Sequence, residues 1–393
     1  MKTIVIGNKL RGKKVSCGEA EKTLIIASIG TSENTDSIEL EIDKARKAQE
    51  LGAGVVTDHS FYGDIPNYHI NLCNNLDILV STVGCYEFAA NHKRNSWANI
   101  GHDKALEYLQ LQAERGVDII TVHASLNREQ LALINKTSRL IPTTSKGGGI
   151  ISSYMQITQT ENPYFEFFDK ILEIFKHYSV TLSLGTTFRP ATVCDSLDKL
   201  MMAELRTMGK LVERALNYGV SVMVEGLGHA SIDSIPTHIK IAKKLCFNVP
   251  YRVLPMAIDT GLGFDHISGA IAAAVAIANG ADAITCMSRA EHIGLPTLAD
   301  MEEAIICGKI AAKSGELVKL KDFSKEYQIS RTRWNNGCKG DWQSSVNPEQ
   351  AKKALMAYNR FDDQIIQCGM CGDFCGIASG LSASKKEKKN EKA

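Results

Sequence analysis

The sequence predicts a parallel (β/α)8 barrel of the TIM-like kind. Short β-branched runs alternate with longer amphipathic segments from about residue 23 to residue 315, in a strand–helix unit that recurs about eight times. Several runs are continuously apolar, as expected of strands covered on both faces. Polar or glycine-rich residues repeatedly follow these runs, which is typical of the loops that form the catalytic rim of a barrel. An open, doubly wound sheet is the alternative.

Nine runs have the character of strands, one more than a barrel needs, and Leu140–Thr144 is the weakest of them. The nine are Thr23–Ser28, Ala53–Thr57, Ile78–Val83, Val117–Val122, Leu140–Thr144, Val180–Leu184, Val220–Glu225, Val253–Ile258 and Ala283–Cys286. The helical patterns between them include Asp36–Leu51, Asp103–Arg115, Pro163–His177, Leu200–Tyr218 and His266–Ala278.

The pattern divides the chain into four regions. We expect a short N-terminal segment over 1–22, the barrel over 23–315, a helical and cysteine-bearing region over 316–378 and a disordered Lys/Glu-rich tail over 379–393. Within the third region Pro348–Tyr358 is predicted to be a helix, because Asn347 suits the cap and Pro348 the first turn.

Composition excludes several classes of protein. A formal net charge of +1 gives no electrostatic basis for binding nucleic acid or an anionic membrane. No apolar run approaches the roughly 20 residues that span a bilayer, and the N-terminus lacks the apolar stretch of a secretory signal. The 11 cysteines include eight without a pairing pattern, which favours a reducing compartment. We therefore expect a cytoplasmic protein.

Three closely spaced cysteines are the most informative motif. Cys368, Cys371 and Cys375 lie on a glycine-bearing segment with no fourth cysteine nearby. Three soft thiolates suit a 4Fe–4S cluster with one iron left open, which could bind S-adenosylmethionine and supply radical chemistry. The alternatives are a structural zinc site completed by a distant ligand, or a disulfide with a spare thiol.

Two histidines, His229 and His292, each follow a candidate strand and could share a divalent metal. Taken singly, each is more simply a polar loop residue. The glycine run Ser145–Gly149 could cradle a phosphate with its amides, or could serve the backbone conformation alone.

Three further side chains stand at apparent strand ends. Glu225, Arg189 and His123 together suit a small, anionic, nitrogen-rich substrate. Each alone could equally be a solvated or structurally paired group.

Together these motifs resemble the phosphomethylpyrimidine synthase family, from about residue 24 to residue 377. The resemblance is strongest over Val122-His-Ala, Ser183-Leu-Gly, Val224-Glu-Gly-Leu-Gly-His229, Gly263-Phe-Asp-His-Ile267, Glu291-His-Ile-Gly-Leu-Pro296 and the three cysteines. It implies a (β/α)8 barrel with a C-terminal iron–sulfur segment, and a homodimer. It also implies a radical S-adenosylmethionine lyase that converts 5-aminoimidazole ribotide to hydroxymethylpyrimidine phosphate, formate and carbon monoxide in thiamine biosynthesis.

The resemblance also implies roles for individual residues. Cys368, Cys371 and Cys375 would hold the 4Fe–4S cluster, and His229 and His292 one divalent metal, zinc or iron. Glu225 and His123 would be the catalytic residues. The substrate contacts would be Ser28, Thr57, Tyr86, His123, Ser145, Lys146, Gly147, Thr186, Arg189, Glu225 and Tyr251. The electron donor would be of the flavodoxin or ferredoxin type.

The sequence departs from the family pattern inside the expected pocket. Thr186 stands where the family typically has Asp, Ser28 where it has Asn, Thr57 where it has Met and Lys146 where it has Arg. The cysteine spacing is one residue shorter than the commonest form. Lost hydrogen-bonding groups change substrate selection sharply. Three alternatives therefore stay open: a paralogue that makes 5-hydroxybenzimidazole for cobamides, a subunit that needs a paralogous partner, and a non-catalytic iron–sulfur or zinc protein.

Overall fold

The computed structural model describes residues 3–33, 35, 37–336, 341–358, 370–371, 374–376 and 379. The chain divides into two units, 1–320 and 321–393. Cys368 and the tail after residue 379, expected to be disordered, lie outside the described residues. Among the described residues, no helix combines the length and the hydropathy needed to cross a membrane.

The first unit is a closed barrel of parallel strands, which confirms the predicted fold class. A two-stranded antiparallel hairpin, β1 (Thr3–Ile6) and β2 (Val15–Gly18), precedes it. The barrel strands then follow in chain order around the barrel, and the last pairs with the first. They are β3 (Leu24–Ile29), β4 (Val55–Asp58), β5 (Leu79–Val83), β6 (Ile119–Val122), β7 (Thr181–Leu184), β8 (Val222–Gly226), β9 (Tyr251–Val253) and β10 (Ala283–Thr285).

Helices surround the barrel and cover its outer face with apolar side chains. They are α1 (Ile38–Glu50), α2 (Ile65–Asn75), α3 (Gly84–Asn91), α4 (His102–Glu114), α5 (Arg128–Leu133), α6 (Lys146–Thr158), α7 (Pro163–Glu166), α8 (Phe168–Tyr178), α9 (Lys199–Tyr218), α10 (Ile235–Leu245), α11 (Asp265–Ala278) and α12 (Leu298–Lys319). The main core lies between this helical layer and the outward-facing strand residues.

The interior of the barrel is apolar at the amino-terminal ends of the strands. Side chains alternate between the two faces of a strand, so every second residue faces inward. The inward residues at this end form one buried cluster with the hairpin residues Ile4, Ile6 and Cys17. The cluster residues from the barrel are Leu24, Ile26, Val55, Leu79, Ile119, Met223 and Ala283. The hairpin, which the sequence did not predict, therefore covers this end of the barrel.

The predicted strand Leu140–Thr144 is wrong. This segment lies in the connection between β6 and α6, and Leu140 is 68% exposed. The backbone N–H groups of Leu140 and Ile141 donate to the carboxylate of Asp195, at 3.0 and 3.1 Å. Because a side chain binds these donors, they take no part in the sheet. The barrel accordingly has eight strands, the number that the repeat predicts.

Two predicted boundaries are also wrong. The strand expected over Val253–Ile258 runs instead over Tyr251–Val253, so it begins two residues earlier and ends sooner. The helix expected over Pro163–His177 is interrupted at Phe167, whose ψ of 32° departs from the helical range. The side chain of Asn162 accepts a hydrogen bond from Tyr164 N, which starts the first of the two pieces.

The second unit contains the helices α13 (Ser324–Asn336) and α14 (Pro348–Tyr358), with a 3-10 turn over Asp341–Ser344 between them. The structure confirms the predicted helix Pro348–Tyr358 with the same bounds. Its cap is Asn347, whose side chain accepts a hydrogen bond from Gln350 N at 3.2 Å.

Candidate active site

Each of the eight barrel strands places a polar residue on its inner face, toward its carboxyl-terminal end. On six of the strands, all but β7 and β9, this residue lies one inward position beyond the apolar cluster that the hairpin covers. The eight residues are Ser28, Thr57, Ser81, Thr121, Ser183, Glu225, Arg252 and Thr285. All but Ser28 are buried. The interior of the barrel is therefore polar at the end where barrel enzymes bind their substrates.

Glu225 and Arg252 form the charged part of this layer and are paired residues on the neighbouring strands β8 and β9. Nη1 of Arg252 lies 3.6 Å from Oε1 of Glu225. Burial alone would raise the pKa of Glu225, but the charges of Arg252 and Arg189 outweigh it and hold that pKa below its ordinary value. Glu225 is thus a carboxylate that can accept hydrogen bonds inside the barrel.

His123 follows β6 and is 3% exposed. Its Nε2 lies 2.9 Å from Oγ of Ser145, and its Nδ1 has no hydrogen-bond partner among the described residues. Burial lowers the pKa of His123 to about 4. The ring is therefore neutral near pH 7, and could donate a proton from one nitrogen or accept one at the other.

The glycine run is the first turn of helix α6. Ser145 is its cap, and its Oγ accepts a hydrogen bond from Gly148 N at 3.1 Å. A Cβ on Gly147 would lie within 2.9 Å of His123 Nε2. Glycine at this position makes room for the imidazole, so the conformational interpretation of the run has a direct structural basis. The Lys146 ammonium lies 4.8 Å from the ring centroid of Phe61 and 5.6 Å from that of Tyr86.

The segment that carries Thr186 and Arg189 is fixed by a buried carboxylate on helix α9. Glu204, which is 1% exposed, accepts hydrogen bonds from Thr187 N and Phe188 N, both at 2.7 Å. Ser125 Oγ donates to the same carboxylate at 2.9 Å. The hydroxyl of Thr186 is buried and has no hydrogen-bond partner among the described residues.

His229 and His292 come together although they are 63 residues apart in sequence. Their ring centroids are 5.3 Å apart. Nδ1 of His229 lies 2.7 Å from Asp259 Oδ1, and Nδ1 of His292 lies 3.1 Å from Asp265 Oδ2. A carboxylate on Nδ1 leaves Nε2 as the metal-binding atom, and this arrangement is usual for histidine ligands.

The two rings therefore fit a shared divalent metal, with the carboxylates orienting them. The described residues contain no group of three or more His, Cys, Asp or Glu side chains that could hold a metal ion. Two imidazoles leave positions open at such a metal for substrate or water.

Tyr251 does not join the other expected substrate contacts. Its side chain is fully buried on the outer face of β9, where its hydroxyl accepts a hydrogen bond from Leu227 N at 3.0 Å. Nε2 of His238, on helix α10, lies 2.9 Å from the same hydroxyl. This residue secures the strand from outside. The other expected contacts in the barrel lie at the carboxyl-terminal ends of the strands or in the segments that follow them.

Of the three expected cluster cysteines, Cys371 and Cys375 are described. Cys371 is exposed and Cys375 is half-buried. Phe374 N donates to the Cys371 carbonyl at 3.0 Å. Thiolates are the usual protein ligands of an iron–sulfur cluster.

Arg252 is the charged residue of this site that the sequence interpretation missed. The strand was predicted to begin at Val253, so Arg252 fell just outside it. A signal existed: Tyr251-Arg252-Val253-Leu254 is an apolar run with a single charge, as an inward-facing strand residue would give.

The family model described as "Radical SAM ThiC family" matches residues 2–380. The phosphomethylpyrimidine synthase of Carboxydothermus hydrogenoformans is 36% identical over 365 residues, covering 92% of this chain and 85% of that protein. The enzyme of the same name from Methanocaldococcus jannaschii is 34% identical and covers 92% and 86% of the two chains.

Among solved structures, dihydropteroate synthase of Yersinia pestis covers 76% of this chain and 95% of its own. Its TM-score is 0.43 and its identity is 12%. This similarity is too low to support a conclusion about the site. The family model spans nearly the whole chain, and the curated relatives exceed 30% identity over most of their own length. The chain belongs to the radical SAM ThiC family of enzymes.

Proposed function

We propose that this enzyme rearranges 5-aminoimidazole ribotide to hydroxymethylpyrimidine phosphate, with formate and carbon monoxide as the other products. The observation that carries the proposal is the polar inner layer of the barrel, which contains ionised Glu225, together with the neutral His123 that follows β6. The relatives are named phosphomethylpyrimidine synthases.

The family implies S-adenosylmethionine and a 4Fe–4S cluster, and we propose Cys368, Cys371 and Cys375 as the cluster ligands. When bound there, the cluster would supply the one-electron reduction of S-adenosylmethionine on which radical chemistry depends. A reductant of the flavodoxin or ferredoxin type would deliver that electron.

The residues of the chain would bind and orient the substrate. Arg189 and Lys146 are the cations available for its phosphate. His123 is the candidate for proton transfer, since its buried ring is neutral and one nitrogen has no partner among the described residues. The apolar cluster under the hairpin would exclude water from the amino-terminal side of the reaction.

A second product has one observation in its favour. Thr186 replaces the Asp that the family pattern would place there, and its buried hydroxyl has no hydrogen-bond partner among the described residues. A pocket without that carboxylate would fit a paralogue that forms 5-hydroxybenzimidazole from the same ribotide. Mass spectrometry of the products, after anaerobic incubation with the ribotide, S-adenosylmethionine and a reductant, distinguishes the two.

The cluster assignment predicts the behaviour of Cys371→Ala. After anaerobic reconstitution, we expect this variant to lose the broad visible absorption of the cluster and all cleavage of S-adenosylmethionine, because one thiolate ligand is gone. Its far-ultraviolet circular dichroism should match that of the parent enzyme. Cys307→Ala, which removes a half-buried thiol of helix α12, is the control and should keep both properties. One zinc per chain without iron in the parent enzyme would instead support a non-catalytic metalloprotein.

We propose that His229 and His292 hold one divalent metal, zinc or iron, apart from the cluster. His229→Ala should lose this metal while keeping the cluster iron, because only one of the two imidazoles remains to bind it. Elemental analysis of anaerobically purified protein measures both metals. His177→Ala, on the exposed side of helix α8, is the control. Equal loss of cluster iron and second metal in His229→Ala would contradict a separate site.

A further inference from the structure

Arg252 is a fully buried cation inside the barrel, and the neighbouring strands hold its guanidinium in place. Its Nε donates to Thr285 Oγ1 at 3.0 Å, and its Nη2 lies 3.4 Å from Thr57 Oγ1. These hydroxyls come from β10, which adjoins β9, and from β4, beyond β10 and β3 around the barrel. Two hydroxyl contacts fix the plane of the guanidinium without neutralising its charge.

The Arg252–Glu225 pair is too far apart for a direct hydrogen bond. Nη1 and Oε1 are separated by 3.6 Å, although both residues are at least 95% buried. A buried ion pair with this spacing keeps hydrogen-bonding capacity on both partners. The guanidinium can still donate and the carboxylate can still accept.

The pair selects the chemistry of its ligand. An anionic group would gain from Arg252 but would be repelled by Glu225 beside it. A group that only accepts, or only donates, would satisfy one partner and leave the other unpaired. A hydroxyl satisfies both, because its oxygen accepts from the guanidinium and its proton goes to the carboxylate.

The inner surfaces of β5, β6 and β7 lead to the same conclusion. Ser81, Thr121 and Ser183 are each no more than 1% exposed and face the interior from these strands. Their hydroxyls have no hydrogen-bond partner among the described residues. Buried hydroxyls are normally paired, so these three point to a neutral polar ligand inside the barrel.

We propose that Arg252 is a substrate-contacting residue that recognises a ribose hydroxyl of the substrate together with Glu225, while Thr57 and Thr285 position its guanidinium. The proposal rests on the proposed function, because the ribotide supplies the ribose. It assigns the sugar to the interior of the barrel and leaves the phosphate to Arg189 and Lys146.

Isothermal titration calorimetry under anaerobic conditions tests the proposal, with three ligands: 5-aminoimidazole ribotide and its 2′-deoxy and 3′-deoxy forms. The parent enzyme should prefer the ribotide over one deoxy form by about tenfold or more, because a site built to bind a hydroxyl rejects the analogue that lacks it. Arg252→Met, which keeps the bulk of the side chain and removes its donors, should reduce that preference to within about twofold.

The control is Arg11→Met. Arg11 is another buried arginine, paired with Asp118 at the amino-terminal ends of the strands, and its loss should leave the preference intact. If Arg252→Met does not fold, the double variant Thr57→Val/Thr285→Val replaces it, since it keeps the charge but frees the guanidinium to move. That variant should also lose most of the preference.

The outcomes separate the two proposals. If the parent enzyme binds none of the three ligands, the proposed substrate is overturned and this inference with it. If it binds the ribotide but shows no preference, or if the preference survives in Arg252→Met, only the role of Arg252 is overturned. A loss of affinity in Arg252→Met that is equal for all ligands also overturns it, because a purely structural role would give that result.

Discussion

At the scale of single residues, the register of β9 decides which of two adjacent side chains reaches the site: Arg252 faces the barrel interior and Tyr251 faces helix α10. His123, Glu225 and Arg189 could be predicted because each ends or follows an apolar run, where a barrel collects its functional side chains. Arg252 was missed because a charge inside a strand usually faces solvent, whereas this one faces a polar interior. Tyr251 shows the converse: the motif selected the residue, but the register of its strand directs the side chain outward.

Buried histidines predict how stability depends on pH. Burial lowers the pKa of His123 to about 4 and that of His238 to about 3. Below about pH 6.5 these histidines therefore bind protons in the unfolded chain but not in the folded chain. The free energy of unfolding should be at its full value above pH 6.5 and should fall as the pH decreases toward 4. Each histidine contributes up to about 1.4 kcal/mol per pH unit.

Urea unfolding between pH 7.5 and pH 4.5 measures this dependence. In His238→Gln the free energy of unfolding should decrease less steeply than in the parent enzyme, because the variant lacks one group that binds a proton only in the unfolded chain. His177→Gln, which replaces an exposed imidazole, should keep the parent slope. An unchanged slope in His238→Gln would show that its burial does not control the titration.

At the scale of elements, apolar runs predicted the eight strands, but not what pairs with them. Leu140–Thr144 resembles a strand in composition, yet its backbone donors go to Asp195 rather than to a neighbouring strand. The two strands of the hairpin were missed instead, because four residues each give too short a pattern to recognise. Both errors arise because hydrogen-bond partners distant in sequence decide which short runs become strands.

Helix α6 offers a matched pair of glycine substitutions. Gly147→Ala should displace the His123 ring, because the added Cβ would overlap it, and should lower turnover at least about tenfold. Gly149→Ala, in the same helix, meets no atom within 4 Å. It should keep activity and raise stability by up to about 1 kcal/mol, since alanine is the better helix former. Product formation and thermal unfolding of both variants measure these effects. Full activity in Gly147→Ala would contradict the proposed role of His123.

At the scale of the whole molecule, the repeat of strand and helix was sufficient to predict a barrel. It was not sufficient to exclude an open sheet, because closure depends on β3 and β10 pairing across more than 250 residues of chain. A closed barrel also accounts for the general arrangement of the site, because closure brings His229 and His292 together. The partners that orient these rings, Asp259 and Asp265, could not be predicted without the structure.

The hairpin predicts a second matched pair. Ile6 is fully buried against the barrel interior, whereas its neighbour Val5 is 52% exposed. Ile6→Ala should lower the free energy of unfolding by about 2–5 kcal/mol, because it opens a cavity in the apolar cluster. Val5→Ala should change it by no more than about 0.5 kcal/mol. Urea unfolding measures both, and equal values would show that the hairpin does not seal the barrel.

That seal has a consequence for the order of events in turnover. Because Ile4, Ile6 and Cys17 fill the amino-terminal end of the barrel, we expect ligands to enter and leave at the carboxyl-terminal end. A molecule that binds later and nearer this end blocks the exit of one bound deeper, so the last component to bind must leave first. We therefore expect the substrate and cofactor to bind in a fixed order and the products to be released in a fixed order.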